Sequence, residues 1–288
     1  VLELEVLEGG WLERLKNVSH WTLREALLFR PALVPLADFA LAEVPLDWRI
    51  GLKRSILQLR ATGEPDPEMI SIHSIFVGRP EWINDDLGAW ESSIFRKAVF
   101  GPVELNTRGI VGDQVADTVH HGRPSQAVCV HPIEHYAYWN EEFKLKDAGR
   151  RLGPGSVGEN WTIEGGNEST ICVGDTYSIG SSEVQVSGPR GPCWKQERKL
   201  KLAGFLKRTV ESLRTGFYVQ VVQRGTVRSG DSWHLKSRPN PLLTVHAVNV
   251  CYYQMPEPEM VARILGTPEV AEGWKKMFAQ KHGLESAV

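Results

Sequence analysis

The chain has only four cysteines in 288 residues, Cys129, Cys172, Cys193 and Cys251, and no two of them form a CxxC pair. That spacing argues against a zinc ribbon and against a disulfide-stapled scaffold, and free thiols suit a reducing compartment, so a cytoplasmic location is expected. Long uncharged apolar runs are also missing. The longest apolar stretch, Ala26 to Leu46, contains Arg30, Asp38, Glu43 and three prolines, whereas a membrane span needs roughly 20 nearly uncharged residues. The acidic N-terminus (Glu3, Glu5, Glu8) is wrong for a secretory signal. Neither charge sign is in excess: a net charge of −2 sets up no field that would draw nucleic acid or an anionic membrane. A flavin or nicotinamide fingerprint is lacking too. Gly153-x-Gly-x-x-Gly158 has the glycine spacing, but it follows a helical segment rather than a strand.

What is present is ordinary globular composition in a chain long enough to bury a real core. Residues 1–68 differ from the rest: they are rich in Leu, Trp and Pro and are expected to form short helices broken at Pro31, Pro35 and Pro45, with a further helix from Asp47 to Arg60. Gly63-Glu-Pro-Asp-Pro67 reads as linker, and Met69 opens a strand, Ile70 to Val77. From there, short strands punctuated by glycine predict a barrel or sandwich. Further strands are expected at Ile94–Val99, Gln126–Val130, Asn160–Ile163, Asp175–Ile179, Glu183–Ser187, Phe217–Val222 and Ser232–Leu235, with a hairpin turn at Gly180-Ser-Ser. One helix is expected to open at Pro132, carrying Ile133, Tyr136, Trp139 and Phe143, and another to run from Lys201 to Arg214. Beyond Pro241 the tail predicts three helices: Thr244 to Gln254, Glu257 to Leu265, and one opening at Thr267-Pro268 and ending near Gly283. This tail holds four Lys or Arg against five Glu, so it lacks the electrostatic footprint of a nucleic-acid binder.

The strongest local feature is Ser187-Gly-Pro-Arg-Gly-Pro-Cys-Trp-Lys-Gln196. Its glycines and prolines enforce a rigid loop between a strand and a helix, with Cys193 at its end and Arg190 and Lys195 nearby. Cations and a helix N-terminus favour thiolate, the form that attacks electrophiles and binds metals. A thiol that merely packs beneath a loop is the plain alternative. The other cysteines sit among apolar neighbours and read as small buried hydrophobes. Thr118-Val-His-His-Gly-Arg-Pro-Ser125 offers His121 and Arg123 for an anion, although surface loops often collect such residues. Gly153 to Asn160 is either a phosphate-cradling backbone or a turn. The basic run Lys195, Arg198, Lys199, Lys201, Lys207, Arg208 is either a solvated helix face or a surface for an anionic cofactor or acidic partner. His131 and His135 lie four apart, but a helix starting at Pro132 need not give them a common face, and no third zinc ligand is evident.

In order along residues 69–288, Phe76-Val-Gly-Arg-Pro80, Gly109-Ile-Val-Gly-Asp113, His120-His-Gly-Arg-Pro124, His135-Tyr-Ala-Tyr-Trp139, Gly158-Glu-Asn160, Val173-Gly-Asp175 and Gln185-Val-Ser-Gly-Pro-Arg-Gly-Pro-Cys193 resemble the MOSC family, named for the molybdenum cofactor sulfurase C-terminal domain. The similarity is to its YiiM-like branch, linked to 6-hydroxylaminopurine resistance. It implies a mainly β chain with a MOSC β-barrel over 69–241 and a three-alpha helical domain over 242–288. Residues 1–68 depart from the family's pattern and are expected to reflect an extension or a translation start assigned too far upstream.

The resemblance further implies a molybdopterin-type cofactor, with Cys193 as catalytic residue and molybdenum ligand. A thiolate suits a soft dithiolene-held metal. Arg190, His121, Arg123, Ser187 and the segment Gly158, Glu159, Asn160 would then lie around the cofactor, some of them donating to its phosphate. The implied reaction is reduction of hydroxylaminopurines, hydroxylamines and amidoximes, with electrons from a separate flavin or iron–sulfur reductase. A homodimer and a small-molecule substrate are implied as well, with neither nucleic acid nor membrane as partner. A sulfur carrier holding a persulfide on Cys193 and a cofactor-binding module without turnover use the same cysteine and stay open.

Overall fold

A computed structural model describes residues 69–284; the helices expected within 1–68 lie outside the described residues. Among the described residues, thirteen strands and six α-helices follow one another. The first strands are β1 (Ser71–Val77), β2 (Glu81–Asp85), β3 (Gly88–Ser92), β4 (Lys97–Val99), β5 (Val103–Asn106) and β6 (Gly109–Ile110). Then come β7 (Val128–Pro132), α1 (His135–Glu142), β8 (Trp161–Glu164), β9 (Thr176–Ile179) and β10 (Ser182–Pro189). Helices α2 (Trp194–Leu200) and α3 (Phe205–Ser212) precede β11 (Phe217–Gln223), β12 (Gly225–Val227) and β13 (His234–Ser237). The chain then runs through α4 (Val245–Tyr253), α5 (Pro258–Gly266) and α6 (Glu272–Lys281).

Eight strands form one sheet in the order β13-β9-β10-β11-β7-β8-β1-β4. Its neighbours are antiparallel except β7 and β8, which are parallel and joined through α1, as a crossover requires. The sheet curls until its far side meets β1: Ile72 N–H donates to Asp231 C=O at 3.0 Å, and Trp233 N–H to Ile70 C=O at 2.7 Å. Curling converts the one-sided apolar alternation of β9, β10 and β11 into an enclosed core of Tyr177, Ile179, Val184, Val186, Val219 and Val221. Full burial of each such side chain stabilises by about 1.5–3 kcal/mol. The same core runs on into the tail, where Val245, Val248, Ile264 and Phe278 of α4–α6 join it, so these helices pack on the barrel. A second, smaller cluster centres on Trp139, Phe205 and Leu145.

Several boundaries differ from the expectation. Pro132 does not open a helix: it is the last residue of β7, paired with Ile163, and the helix begins at His135. A strand end tolerates a residue without an N–H. Ile94, expected in a strand, turns inward against Gly158, and the strand is only Lys97–Val99. Gln126 belongs to a single 3-10 turn, Pro124–Gln126. The helix expected from Lys201 starts at Phe205, because Lys201 itself adopts a left-handed φ of 50° and ends α2. The third tail helix starts at Glu272, after a turn in which Val270 N–H donates to Thr267 C=O. The hairpin β2–β3 and the small sheet β12-β5-β6 were not expected at all.

Candidate functional site

β10 delivers the chain to the site. It ends at Pro189, and the rigid loop that follows places Arg190 under the barrel and Cys193 at the start of α2. Cys193 N–H donates to Gln196 Oε1 at 3.1 Å, which fixes the entry to the helix. The thiol is half-buried, whereas Cys129, Cys172 and Cys251 are buried. Burial raises the pKa of each of those three, as small core hydrophobes should show.

Cys193 opens on a cavity of about 670 Å³, with Arg190, Arg96, His121, Gln126 and Ser93 among its walls. Four cations (Arg96, Arg108, Arg190, Lys195) face two carboxylates, Asp113 and Asp117, so the cavity is electropositive. Arg96 grips Asp113 with two bonds of 3.1 Å and donates to Gly158 C=O at 2.7 Å. Asp117 accepts from the N–H groups of Val119 and His120 and is lowered below its ordinary pKa, chiefly by the His120 bond. Arg190 is different. It is only 6% exposed, Nη2 donates to Val157 C=O at 2.9 Å, and Nη1 finds no partner among the described residues. Ser93 Oγ and Gln126 Oε1, also lining the cavity, are likewise buried without partners. Leaving a buried donor unmade costs about 1–3 kcal/mol, more when it is charged. Burial first, then the Arg190 charge, lower the His121 imidazole below its ordinary value, so it stands neutral at neutral pH.

The other residues expected at the site are placed as follows. Gly158 and Asn160 line the cavity, but their backbone N–H groups donate to Gly155 and Cys129 carbonyls, so they shape the wall instead of offering donors to a phosphate. Gly158 has φ of +77°, and a Cβ there would lie 2.3 Å from Ile94 Cγ1. Glu159 lines neither this cavity nor its neighbour: fully buried, it accepts from Tyr136, Gly155 and Thr162 and braces the loop from behind. Ser187 Oγ donates to Ser125 and Tyr218 carbonyls, tying the His121 loop to the sheet. Arg123 is exposed, and Ser187 and Arg123 both border a second cavity that meets the first at Cys193. His131 and His135 do meet, with ring centroids 5.2 Å apart; His135 bonds Glu168 at 2.7 Å. Among the described residues, no three His, Cys, Asp or Glu side chains group as a metal site.

The basic run after Cys193 is not the free docking face it resembled. Lys195 Nζ donates to Glu91 C=O at 2.9 Å. Arg198 stacks 5.0 Å over Trp90 and pairs with Asp85. Lys199 Nζ donates to Ile94 and Gly155 carbonyls at 2.9 and 2.8 Å, and burial lowers its pKa to about 8. These side chains fasten the β2–β3 hairpin and the Gly155 loop over the site. Asp85, Glu91 and Trp90 are therefore structural residues of the site. Lys201, Lys207 and Arg208 remain exposed.

Comparison with known proteins converges on one group. The family model for the MOSC domain matches residues 117–234. The chain is similar to YflK of Bacillus subtilis, 34% identical over 215 residues, covering 74% of this chain and 95% of that protein. The crystal structure of YiiM from Geobacillus stearothermophilus superposes with a TM-score of 0.62 at 30% identity, covering 74% of this chain and 98% of that one. A Gibberella moniliformis protein named Reductase is 32% identical over 163 residues, which span 55% of this chain but only 28% of that protein.

Proposed function

Since the chain belongs to the YiiM-like MOSC family, whose domains generally bind the molybdenum cofactor, we propose that it is a molybdenum-cofactor-dependent reductase of N-hydroxylated compounds. The observation that carries this reading is the half-buried Cys193 thiol facing the same cavity as a buried arginine whose Nη1 has no partner among the described residues. The residues fit the group. Arg190 offers a buried cationic donor to an anionic oxygen, Gln126 Oε1 an acceptor to a ring N–H, and Cys193 a soft sulfur ligand to the metal. When bound, the cofactor supplies a two-electron centre, so that R–NHOH, two electrons and two protons become R–NH2 and water. The protein's own part is to orient and exclude. Arg190 and the Arg96–Asp113 pair fix one end of the cavity, and Lys195 and Arg198 tie the β2–β3 hairpin to the helix that opens at Cys193.

Electrons come from a separate reductase, since the chain carries no flavin or nicotinamide fingerprint of its own. The name of the Gibberella relative supports the oxidoreductase class. The test is oxidation of dithionite-reduced viologen coupled to an amidoxime or aryl hydroxylamine, using protein from a host that makes the cofactor. Wild type turns over, and Cys193→Ser loses roughly a hundredfold or more. Wild-type protein that carries cyanide-labile sulfur, holds no molybdenum and shows no turnover is instead a sulfur carrier.

A further inference from the structure

The second cavity, about 590 Å³, shares Cys193, His121, Asp117 and Lys195, among others, with the first but does not include Arg190. Its outer wall is α6, contributed by Gly273, Trp274, Lys276 and Met277. That wall is fixed to the site loop itself. Ala271 N–H donates to Ser187 C=O at 3.0 Å, and Trp274 Nε1 to Pro189 C=O at 2.8 Å. Gly188 permits the approach: a Cβ there would lie 2.8 Å from Trp274 Cδ1. The helix is thus tied to the segment that leads into the Cys193 loop.

The lining states what would fit. Trp194, Pro192 and Met277 present flat or pliant apolar surface, with Trp194 51% exposed. Arg123, Lys195 and Lys276 bring three cations, against Asp117 as the one carboxylate in the lining, already bonded to His120. Arg123 lies across the first turn of α6, its Nη1 3.5 Å from where a Gly273 Cβ would sit. Resting on the reductase reading above, we infer that this second cavity is the substrate cleft, that α6 forms its selective wall, and that it takes a planar aromatic N-hydroxylated compound bearing an anionic substituent held by Arg123 and Lys276. Cavities of this size, mostly apolar with a few directed polar groups, are the usual form of small-molecule sites. The arrangement gives the helical tail a role in specificity, while the Arg190 cavity holds the cofactor.

The probes are 4-(hydroxyamino)benzoate and its neutral counterpart phenylhydroxylamine, assayed with reduced viologen, together with their products 4-aminobenzoate and aniline in titration calorimetry. Wild type should show a KM roughly tenfold lower for the carboxylated substrate. Lys276→Glu, at an exposed position, should erase that difference by raising KM for the carboxylated substrate, at unchanged molybdenum content. Gly273→Leu, in a helix where the position tolerates a side chain, should raise KM for both substrates at unchanged molybdenum content. Equal wild-type KM values, or a Lys276→Glu change that affects both substrates alike, would overturn the cleft. Calorimetry separates this inference from the reading it rests on. Binding of 4-aminobenzoate that Lys276→Glu weakens, in protein without turnover, upholds the cleft while the reductase reading falls. Absence of that binding in wild type overturns the cleft even when turnover is present.

Discussion

The cations around this site are handled in two opposite ways. Arg96, Arg198 and Lys199 each meet acceptors inside the protein: the Asp113 carboxylate, the Asp85 carboxylate, and two backbone carbonyls. Arg190 is buried more deeply, with one carbonyl for Nη2 and no partner for Nη1 among the described residues. The first group builds walls, because a satisfied ion pair or hydrogen-bonded amine holds segments together. The second is a binding element, because an unmade charge-assisted bond is stabilised only when a ligand completes it. On the proposed reading, this difference, more than the total positive charge, is what would place an anionic cofactor beside Arg190.

The sharpest way to break that contrast is Arg190→Met. Cofactor retained through purification should fall roughly tenfold or more, while the thermal midpoint of cofactor-free protein stays level or rises, since the variant removes a half-satisfied buried charge. Pterin content and calorimetry on the same samples check both halves; a large drop in the midpoint would make Arg190 a wall residue after all. A moderate effect is expected of Arg198→Met. It should lower the midpoint by a few degrees and leave cofactor content nearly intact, because it unfastens the hairpin without touching the cavity. Acid should mimic it. The Arg198 bond holds Asp85 well below the ordinary carboxylate range, so its contribution is present above the unfolded value and is lost only as pH falls towards the low folded value.

The smallest effect is a pH slope at Lys199. Burial lowers its pKa to about 8, against about 10.4 in the unfolded chain. Between these values the unfolded state binds the extra proton, so stability rises with pH. A neutral amine still has two N–H groups for the Ile94 and Gly155 carbonyls. Wild type should therefore gain on Lys199→Met in denaturant unfolding between pH 8 and 10, and a flat or falling difference contradicts the assignment.

Much of this was legible in the chain. The Gly-Pro punctuation around Arg190 and Cys193 marked a rigid loop because those residues act locally, and the β9, β10 and β11 strands showed their alternation because one face is buried. The β2–β3 hairpin was not legible. Trp90 and Ser92 are its buried positions, so Glu81–Asp85 carries no period-two signal. The basic run misled for a related reason: the partners of Lys195, Arg198 and Lys199 lie more than a hundred positions away or in the Gly155 loop, and local spacing cannot show them. Glu159 was expected beside the cofactor as part of the Gly158-Glu-Asn160 motif that carries the resemblance, yet its side chain is held on the far side by Tyr136 and Thr162. Pro132 looked like a helix start, and only the parallel pairing of β7 with β8 made it a strand end.

The central claim is that Cys193 and Arg190 together hold a molybdenum cofactor, and the most direct test is elemental analysis for molybdenum with pterin fluorescence after acid oxidation. Wild type and Cys193→Ser are expressed in a host that makes the cofactor and purified in parallel. The account predicts near-stoichiometric molybdenum and pterin in wild type, with the metal lost in the variant. Wild type free of both, or a variant that keeps its molybdenum in full, would contradict it.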